Sequence, residues 1–192
     1  MDKKVVIIDN YDSFTYNLVH IVEELLDSKV VVVRNDEFEL SDLEQYDYII
    51  LSPGPGIPEE AGLLKDVIRD YKSSKKIMGV CLGLQAIGEV YGAELLNLKQ
   101  VWHGMRTAMF RTEAESILLD GISKEFPAGR YHSWVINPES DTSELIITAK
   151  DDEGNIMAAR HKTDKVYGLQ FHPESIMTDD GKQMIANFLN SK

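Results

Sequence analysis

The sequence predicts an α/β fold with a mostly parallel central sheet, helices on both faces and additional antiparallel strands. Four short, continuously apolar runs lie in the first 80 residues, as expected for strands buried on both faces. Longer segments with one apolar face separate these runs, as expected for helices that connect parallel strands. After about residue 94, short apolar runs alternate with polar turns, which is typical of antiparallel strands.

The first half of the chain is predicted to alternate between strands and helices. A helix is predicted over residues 13–27, where apolar side chains recur at three- to four-residue spacing, with Asp12 or Ser13 as its cap. Two further helices are predicted over residues 63–71 and 82–91, the second ended by Gly92. The strands are predicted at residues 5–8, 30–33, 48–51 and 77–80.

The second half is predicted to add strands that extend the sheet in antiparallel fashion or form a small separate sheet, and a closing helix over residues 179–189. These strands are predicted at residues 107–111, 133–136, 145–149, 156–160 and 166–171. The sequence shows no repeat and no Pro/Ser-rich linker, so residues 1–192 are expected to form one domain.

Composition excludes several classes of function. The 192 residues carry 20 Lys and Arg against 32 Asp and Glu, a net charge of −12, so nucleic acid is not an expected partner. One cysteine allows no intrachain disulfide, and no apolar stretch approaches the roughly 20 residues that span a membrane. The start of the chain has no cleavable leader pattern. We therefore expect a cytoplasmic protein without a membrane partner.

The most informative segment is Gly79-Val80-Cys81-Leu82-Gly83, where a predicted strand runs directly into a predicted helix. Glycines two residues before and after a nucleophile allow the tight turn of a nucleophile elbow. The positive end of the following helix favours a negative charge on the sulfur. A lone cysteine is more often a small buried apolar residue. The flanking glycines favour a nucleophile here.

A base for this nucleophile is predicted in the segment Phe171-His172-Pro173-Glu174, just past an apolar strand. Residues i and i+2 of an extended chain face the same side, and Pro173 keeps His172 out of a helix. A carboxylate beside an imidazole fixes its tautomer and raises its basicity. The alternative is a solvated turn with an incidental ion pair. Together with the elbow, the pair predicts a catalytic triad.

The loop Ser52–Pro58 follows another predicted strand and contains Gly54 and Gly56 between prolines. Prolines stiffen such a loop and lack N–H groups, so the glycine N–H groups are the natural anion donors. Together with the N–H of Leu82, one of them could form an oxyanion hole. A plain surface turn is the alternative. No ligand spacing indicates a metal site.

Four blocks of this sequence resemble, in order and spacing, those of the class I, or triad, glutamine amidotransferases, whose fold is flavodoxin-like. The blocks are Ile8–Asn17, Leu51–Gly56, Gly79–Gln85 and Gln170–Ser175. The resemblance implies that Cys81 is the nucleophile, His172 the base and acid, and Glu174 its orienting carboxylate. It further implies that L-glutamine is held by Gly54, Gly56, Leu82, Gln85, Tyr131, Ser133 and Trp134.

The first block is similar to that of the subunits that supply ammonia to chorismate-using synthases. This resemblance implies a large synthase subunit as partner, most simply that of anthranilate synthase. The alternative is the synthase of aminodeoxychorismate, or one subunit shared by both. No cofactor is implied on this chain, and Mg²⁺ is expected on the partner subunit. A γ-glutamyl peptidase and a non-catalytic regulatory subunit are more remote alternatives.

Overall fold

The structure is a computed structural model that describes residues 3–191. It contains eleven strands in these residues, and we number them in chain order. They are β1 (Val5–Asp9), β2 (Val31–Arg34), β3 (Tyr48–Leu51), β4 (Lys76–Val80), β5 (Leu95–Asn97), β6 (Met105–Arg111), β7 (Glu125–Arg130), β8 (Trp134–Ile136), β9 (Leu145–Lys150), β10 (Ile156–His161) and β11 (Val166–Leu169). The α-helices are α1 (Thr15–Leu26), α2 (Leu64–Tyr71), α3 (Leu82–Val90) and α4 (Gly181–Asn190). Short 3₁₀ helices cover Leu40–Leu43 and Pro58–Glu60.

Nine of the strands form one sheet in the order β2-β1-β3-β4-β11-β10-β9-β6-β7. The first five are parallel, and the other four extend the sheet through antiparallel pairs. β5 and β8 form a separate antiparallel pair. The predicted fold class is therefore confirmed, and strands of the second half take both of the roles expected for them. β11 is the exception, because it pairs in parallel with β4 and completes the parallel part of the sheet.

The apolar residues of β1, β3 and β4 are buried on both faces of the sheet, whereas the predicted burial of both faces is wrong for the edge strand β2, in which Val31 is 44% exposed. Ile7, Ile50 and Met78 point to a core that α1 and α4 cover, and their chain neighbours Ile49 and Ile77 point to a second core beneath α2 and α3. These side chains are fully buried. Burial of each of these side chains stabilises the folded protein by about 1.5–3 kcal/mol. The sheet is therefore a rigid support for the loops at its edge.

The start of α1 differs from the prediction. Neither Asp12 nor Ser13 is its cap: Phe14 occupies the N-cap position and makes no side-chain capping bond. The Asp12 carboxylate instead accepts a hydrogen bond from the Phe14 N–H (2.7 Å) in a turn before the helix, and the Thr15 hydroxyl donates to Asp9 (2.7 Å). The acidic side chains therefore order the β1–α1 loop rather than the first helical turn.

Sequence reasoning missed β5 and β7. β7 contains Pro127 and Gly129, which normally argue against a strand. It tolerates the proline because it lies at the edge of the sheet, where β6 is its neighbouring strand and only Gly129 forms a further bridge, to His172. Within residues 3–191, no helix is both long and apolar enough to cross a membrane.

Candidate active site

Cys81 lies at the junction of β4 and α3, in the nucleophile elbow that the sequence predicts. Its backbone has φ 52° and ψ −102°, a left-handed conformation that is strained for a residue other than glycine. Two hydrogen bonds hold it there: the Cys81 N–H donates to the Leu169 carbonyl (2.7 Å), and the Cys81 carbonyl accepts from the Gln85 N–H (3.1 Å). The thiol is thus fixed at the carboxyl end of β4 and the start of α3.

The glycines around Cys81 are required for close packing as well as for the turn. A Cβ atom on Gly79 would lie 2.4 Å from the backbone carbon of Gly83. A Cβ atom on Gly83 would lie 2.8 Å from the carbonyl oxygen of Leu51 at the end of β3. The first turn of α3 therefore sits directly on the sheet edge, which brings the elbow against the loop that follows β3.

His172 and Glu174 form a buried pair beyond the end of β11. The His172 Nδ1 lies 2.6 Å from Glu174 Oε1, and the two residues are 2% and 6% exposed. The His172 N–H donates to the Gly129 carbonyl (3.0 Å), while the His172 carbonyl accepts from the Thr178 hydroxyl (2.7 Å). The predicted contact between the two side chains is present, but the predicted extended backbone is not: Pro173 and Glu174 lie in a turn that the Ser175 N–H closes by donating to the His172 carbonyl (3.2 Å).

The charge on His172 depends on its buried neighbours. Burial alone would lower the pKa of His172, but the Glu174 carboxylate and the Cys81 thiol raise that pKa well above its ordinary value. The Nε2 atom of His172 is buried and has no partner at hydrogen-bonding geometry among residues 3–191. The ring therefore has one nitrogen fixed by Glu174 and the other available for proton exchange beside the thiol.

Gly54 lies against the elbow. A Cβ atom on Gly54 would lie 2.7 Å from the Leu82 side chain and 2.6 Å from Asn10 Cβ, so only glycine fits. Asn10 ties this loop to the β1 loop, since its N–H and its side-chain amide donate to Ser52 Oγ and Ser52 O, both at 2.8 Å. Gly56 adopts φ 72°, and its Cβ direction points to Glu60. Packing thus brings Gly54, but not Gly56, against Leu82.

Gln85 is buried on α3 and reaches the segment that precedes β8. Its Nε2 donates to the Trp134 carbonyl (2.8 Å) and to Gln170 Oε1 (3.3 Å). Ser133 accepts a bond at its carbonyl from the Leu98 N–H (2.7 Å), which holds this segment in place. Gln85, Ser133 and Trp134 therefore lie on one connected wall near the elbow.

Tyr131 and Phe14 pack around the imidazole. The Tyr131 ring lies edge-on to His172 with centroids 4.8 Å apart, and Phe14 contacts Tyr131 and His172 at 5.0 and 5.9 Å. Tyr131 thus belongs to the predicted site. Phe14 was not predicted, because its spacing indicated only the apolar face of α1.

Gln170 is the second residue that sequence reasoning missed. It is fully buried, and its Nε2 donates to Cys81 Sγ at 3.5 Å. The pairing of β4 with β11 sets Val80 opposite Leu169, so the next residues of the two strands lie side by side. The sequence shows Gln170 within a motif, but its position beside the thiol follows only from that pairing.

In the described part of the chain, no cluster of three or more His, Cys, Asp or Glu is arranged to hold a metal ion.

The fold and this geometry define a class of protein, the α/β proteins with a cysteine nucleophile elbow beside a histidine–glutamate pair. The sequence matches the glutamine amidotransferase class-I family over residues 6–191. The chain belongs to that family.

Relatives agree with this assignment, and a solved structure shares the fold. The chain is 45% identical over 188 residues to anthranilate synthase component 2 of Lactococcus lactis, covering 97% of this chain and 93% of the relative. It is 41% identical over 189 residues to aminodeoxychorismate/anthranilate synthase component 2 of Bacillus subtilis, covering 97% and 96%. The bifunctional protein TrpGD of Thermotoga maritima is 43% identical, and this chain spans 98% of its own length but only 32% of that longer protein. A glutamine amidotransferase structure from Thermotoga maritima shares the fold, with a TM-score of 0.77, 13% identity and coverage of 98% and 97% of the two chains.

Proposed function

We propose that this chain hydrolyses L-glutamine through a Cys81 thioester and delivers the ammonia to a chorismate-using synthase, most simply anthranilate synthase. The observation that carries the proposal is the buried His172–Glu174 pair beside a thiol held at a strained elbow. Family membership supports glutamine as the donor of nitrogen. The names of the relatives support the chorismate-using partner.

In the first half of the reaction, the Cys81 thiolate attacks the side-chain amide carbon of glutamine and a C–S bond forms. The N–H groups of Leu82 and Gly54 stabilise the resulting oxyanion, since Gly54 packs on the Leu82 side chain. His172, positively charged and oriented by Glu174, gives its Nε2 proton to the leaving nitrogen. The C–N bond breaks and ammonia departs.

In the second half, water hydrolyses the γ-glutamyl thioester. The now neutral His172 takes a proton from water at Nε2 as the oxygen attacks the thioester carbon. The C–S bond then breaks, glutamate leaves and the thiolate–imidazolium state of Cys81 and His172 returns. Glu174 remains ionised throughout and stabilises the imidazolium.

The wall formed by Gln85, Ser133 and Trp134 near the elbow holds the substrate in this proposal. The Gln85 amide nitrogen is occupied by the Trp134 carbonyl and Gln170, which leaves its oxygen to accept from the glutamine substrate. Tyr131 encloses the imidazole, and Ser133 belongs to the same segment. Gly56 contributes by shaping the β3 loop, because its positive φ forms the turn.

Ammonia that escapes into bulk water becomes protonated and loses its nucleophilic lone pair. The released ammonia is therefore useful for synthesis only when a partner subunit receives it. We assign chorismate and Mg²⁺ to that partner's large subunit and no cofactor to this chain. Asn10 and Ser52 join the β1 and β3 loops at the same sheet edge as Cys81. This edge is the face we assign to docking.

A second candidate is the synthesis of aminodeoxychorismate. The Bacillus subtilis relative favours it, because its name covers both aminodeoxychorismate and anthranilate synthase. The two candidates share all the chemistry on this chain and differ only in the large subunit that receives the ammonia.

The test is reconstitution with each large subunit in turn, with glutamine, chorismate and Mg²⁺, followed by chromatography of the products. Anthranilate in one mixture supports the first candidate, and aminodeoxychorismate in the other supports the second. Both products indicate a shared subunit. If neither forms, although each large subunit works with free ammonium, the proposed partnership is wrong.

A further inference from the structure

A chain of buried polar side chains runs from the core of the protein to the Cys81 sulfur. It begins at the Arg130–Asp151 ion pair (3.0 Å), where both side chains are inaccessible to solvent. The Arg130 Nε donates to His132 Nε2 at 3.2 Å, and His132 Nδ1 lies 3.1 Å from the Trp134 carbonyl. The chain continues from this carbonyl through two glutamines to the thiol.

Groups that can only donate or only accept hydrogen bonds set the direction of the bonds in this series of side chains. An arginine side chain only donates, so His132 Nε2 must accept and its Nδ1 must carry the proton. The Trp134 carbonyl only accepts, so it receives the bonds from His132 Nδ1 and Gln85 Nε2. The Gln85 amide is thereby fixed with its nitrogen toward the carbonyl.

The orientation of the Gln170 amide is fixed in turn by Gln85. The second hydrogen of Gln85 Nε2 goes to Gln170 Oε1 at 3.3 Å, so the oxygen of the Gln170 amide is occupied. Its nitrogen then faces Cys81 Sγ at 3.5 Å. The Gln170 backbone N–H donates to the Met157 carbonyl (2.8 Å), which holds the residue beside the elbow.

We propose that Gln170 is a further catalytic residue, which donates an N–H bond to the Cys81 sulfur and stabilises and orients the thiolate that attacks glutamine. This inference rests on the proposed function and deepens it. Because Gln85 and the Trp134 carbonyl fix the amide, the donor faces the sulfur before substrate binds. A purely structural role for Gln170 would leave the reactivity of the thiol unchanged.

The test measures the second-order rate of Cys81 alkylation by iodoacetamide as a function of pH, which requires neither glutamine nor a partner. Gln170→Leu removes the donor, and Gln170→Glu keeps the shape but places a carboxylate oxygen against the sulfur. Exposed Gln183→Leu on α4 is the matched control. We expect alkylation at neutral pH to slow by about 10-fold in Gln170→Leu and more in Gln170→Glu, since hydrogen bonds to charged groups contribute on the order of a tenfold factor or more.

Wild-type alkylation kinetics in Gln170 variants that retain the native circular dichroism spectrum would overturn the inference. If neither variant folds, the side-chain amide resonances of Gln170 in the wild-type protein provide the test. They are expected to titrate with the thiol and to lose that titration in Cys81→Ala; resonances insensitive to pH would overturn the inference. A different result separates the inference from the proposed function. If Gln170→Leu is alkylated slowly but the wild-type protein releases no ammonia from glutamine, the proposed function is wrong and the inference about Gln170 stands.

Discussion

His132→Gln is expected to make the protein more resistant to acid. His132 is buried beside Arg130, and burial, followed by the charges of Arg130 and His172, lowers the pKa of His132 to about 3. The hydrogen bond with the Trp134 carbonyl opposes this shift only in part. His132 is therefore neutral in the folded protein at pH values where an unfolded histidine is charged.

The sign of the effect follows from this difference. Between pH 6.5 and about 3, the unfolded chain binds a proton at His132 that the folded protein does not bind, so folding stability falls as pH falls. At pH 4.5, about two units below the ordinary value, this loss is about 2.7 kcal/mol. Glutamine does not titrate, and its amide can replace both hydrogen bonds of the neutral ring.

The assay is urea unfolding followed by circular dichroism at pH 7.5 and 4.5. Between these pH values, we expect the wild-type protein to lose about 2.7 kcal/mol more stability than His132→Gln. Exposed His103→Gln is the control and is expected to lose as much as the wild type. Equal losses in His132→Gln and wild type would refute a neutral, buried His132.

Three further substitutions test the site and the fold. Glu174→Gln removes the charge that raises the pKa of His172, so glutamine hydrolysis is expected to slow by about 100-fold or more, measured as ammonia release; an unchanged rate would contradict the triad. Gly54→Ala places a methyl group 2.6 Å from Asn10 Cβ and displaces the oxyanion loop, so hydrolysis is expected to slow by about 100-fold while iodoacetamide alkylation of the thiol stays the same; equal loss of both would show that the whole elbow had moved. Lys76→Met removes hydrogen bonds from the ammonium group to the backbone carbonyls that end α4, so the free energy of unfolding is expected to fall by about 1–3 kcal/mol in urea, with turnover unchanged; slower turnover would link α4 to the site.

The features that the sequence predicts best are local. Continuous apolar runs identify β1, β3 and β4, because both faces of these strands are buried. The run in β2 identifies a strand as well, although this edge strand is partly exposed. The elbow can be predicted because its packing requires glycine at positions 79 and 83. A Cβ atom on Gly79 or Gly83 would lie 2.4 or 2.8 Å, respectively, from a backbone atom. The His-Pro-Glu spacing likewise predicts the contact between His172 and Glu174 within three residues of chain.

The features that the sequence does not reveal depend on which strands become neighbours. Cys81 and Gln170 are 89 positions apart and meet only because β4 pairs with β11 in one particular register. β7 was missed because an edge strand tolerates Pro127, and edge position is itself a tertiary property. The expected cap at Asp12 was wrong because that carboxylate orders a loop instead.

The most direct test of the proposed function compares wild-type protein with Cys81→Ser in complex with a chorismate-using large subunit, with either glutamine or ammonium as the nitrogen source. We expect Cys81→Ser to abolish product formation from glutamine and to leave product formation from ammonium intact, because the large subunit still receives free ammonia. Product formation from glutamine at the wild-type rate would contradict the thioester mechanism. Loss of product from both sources would show that Cys81 serves assembly of the complex instead.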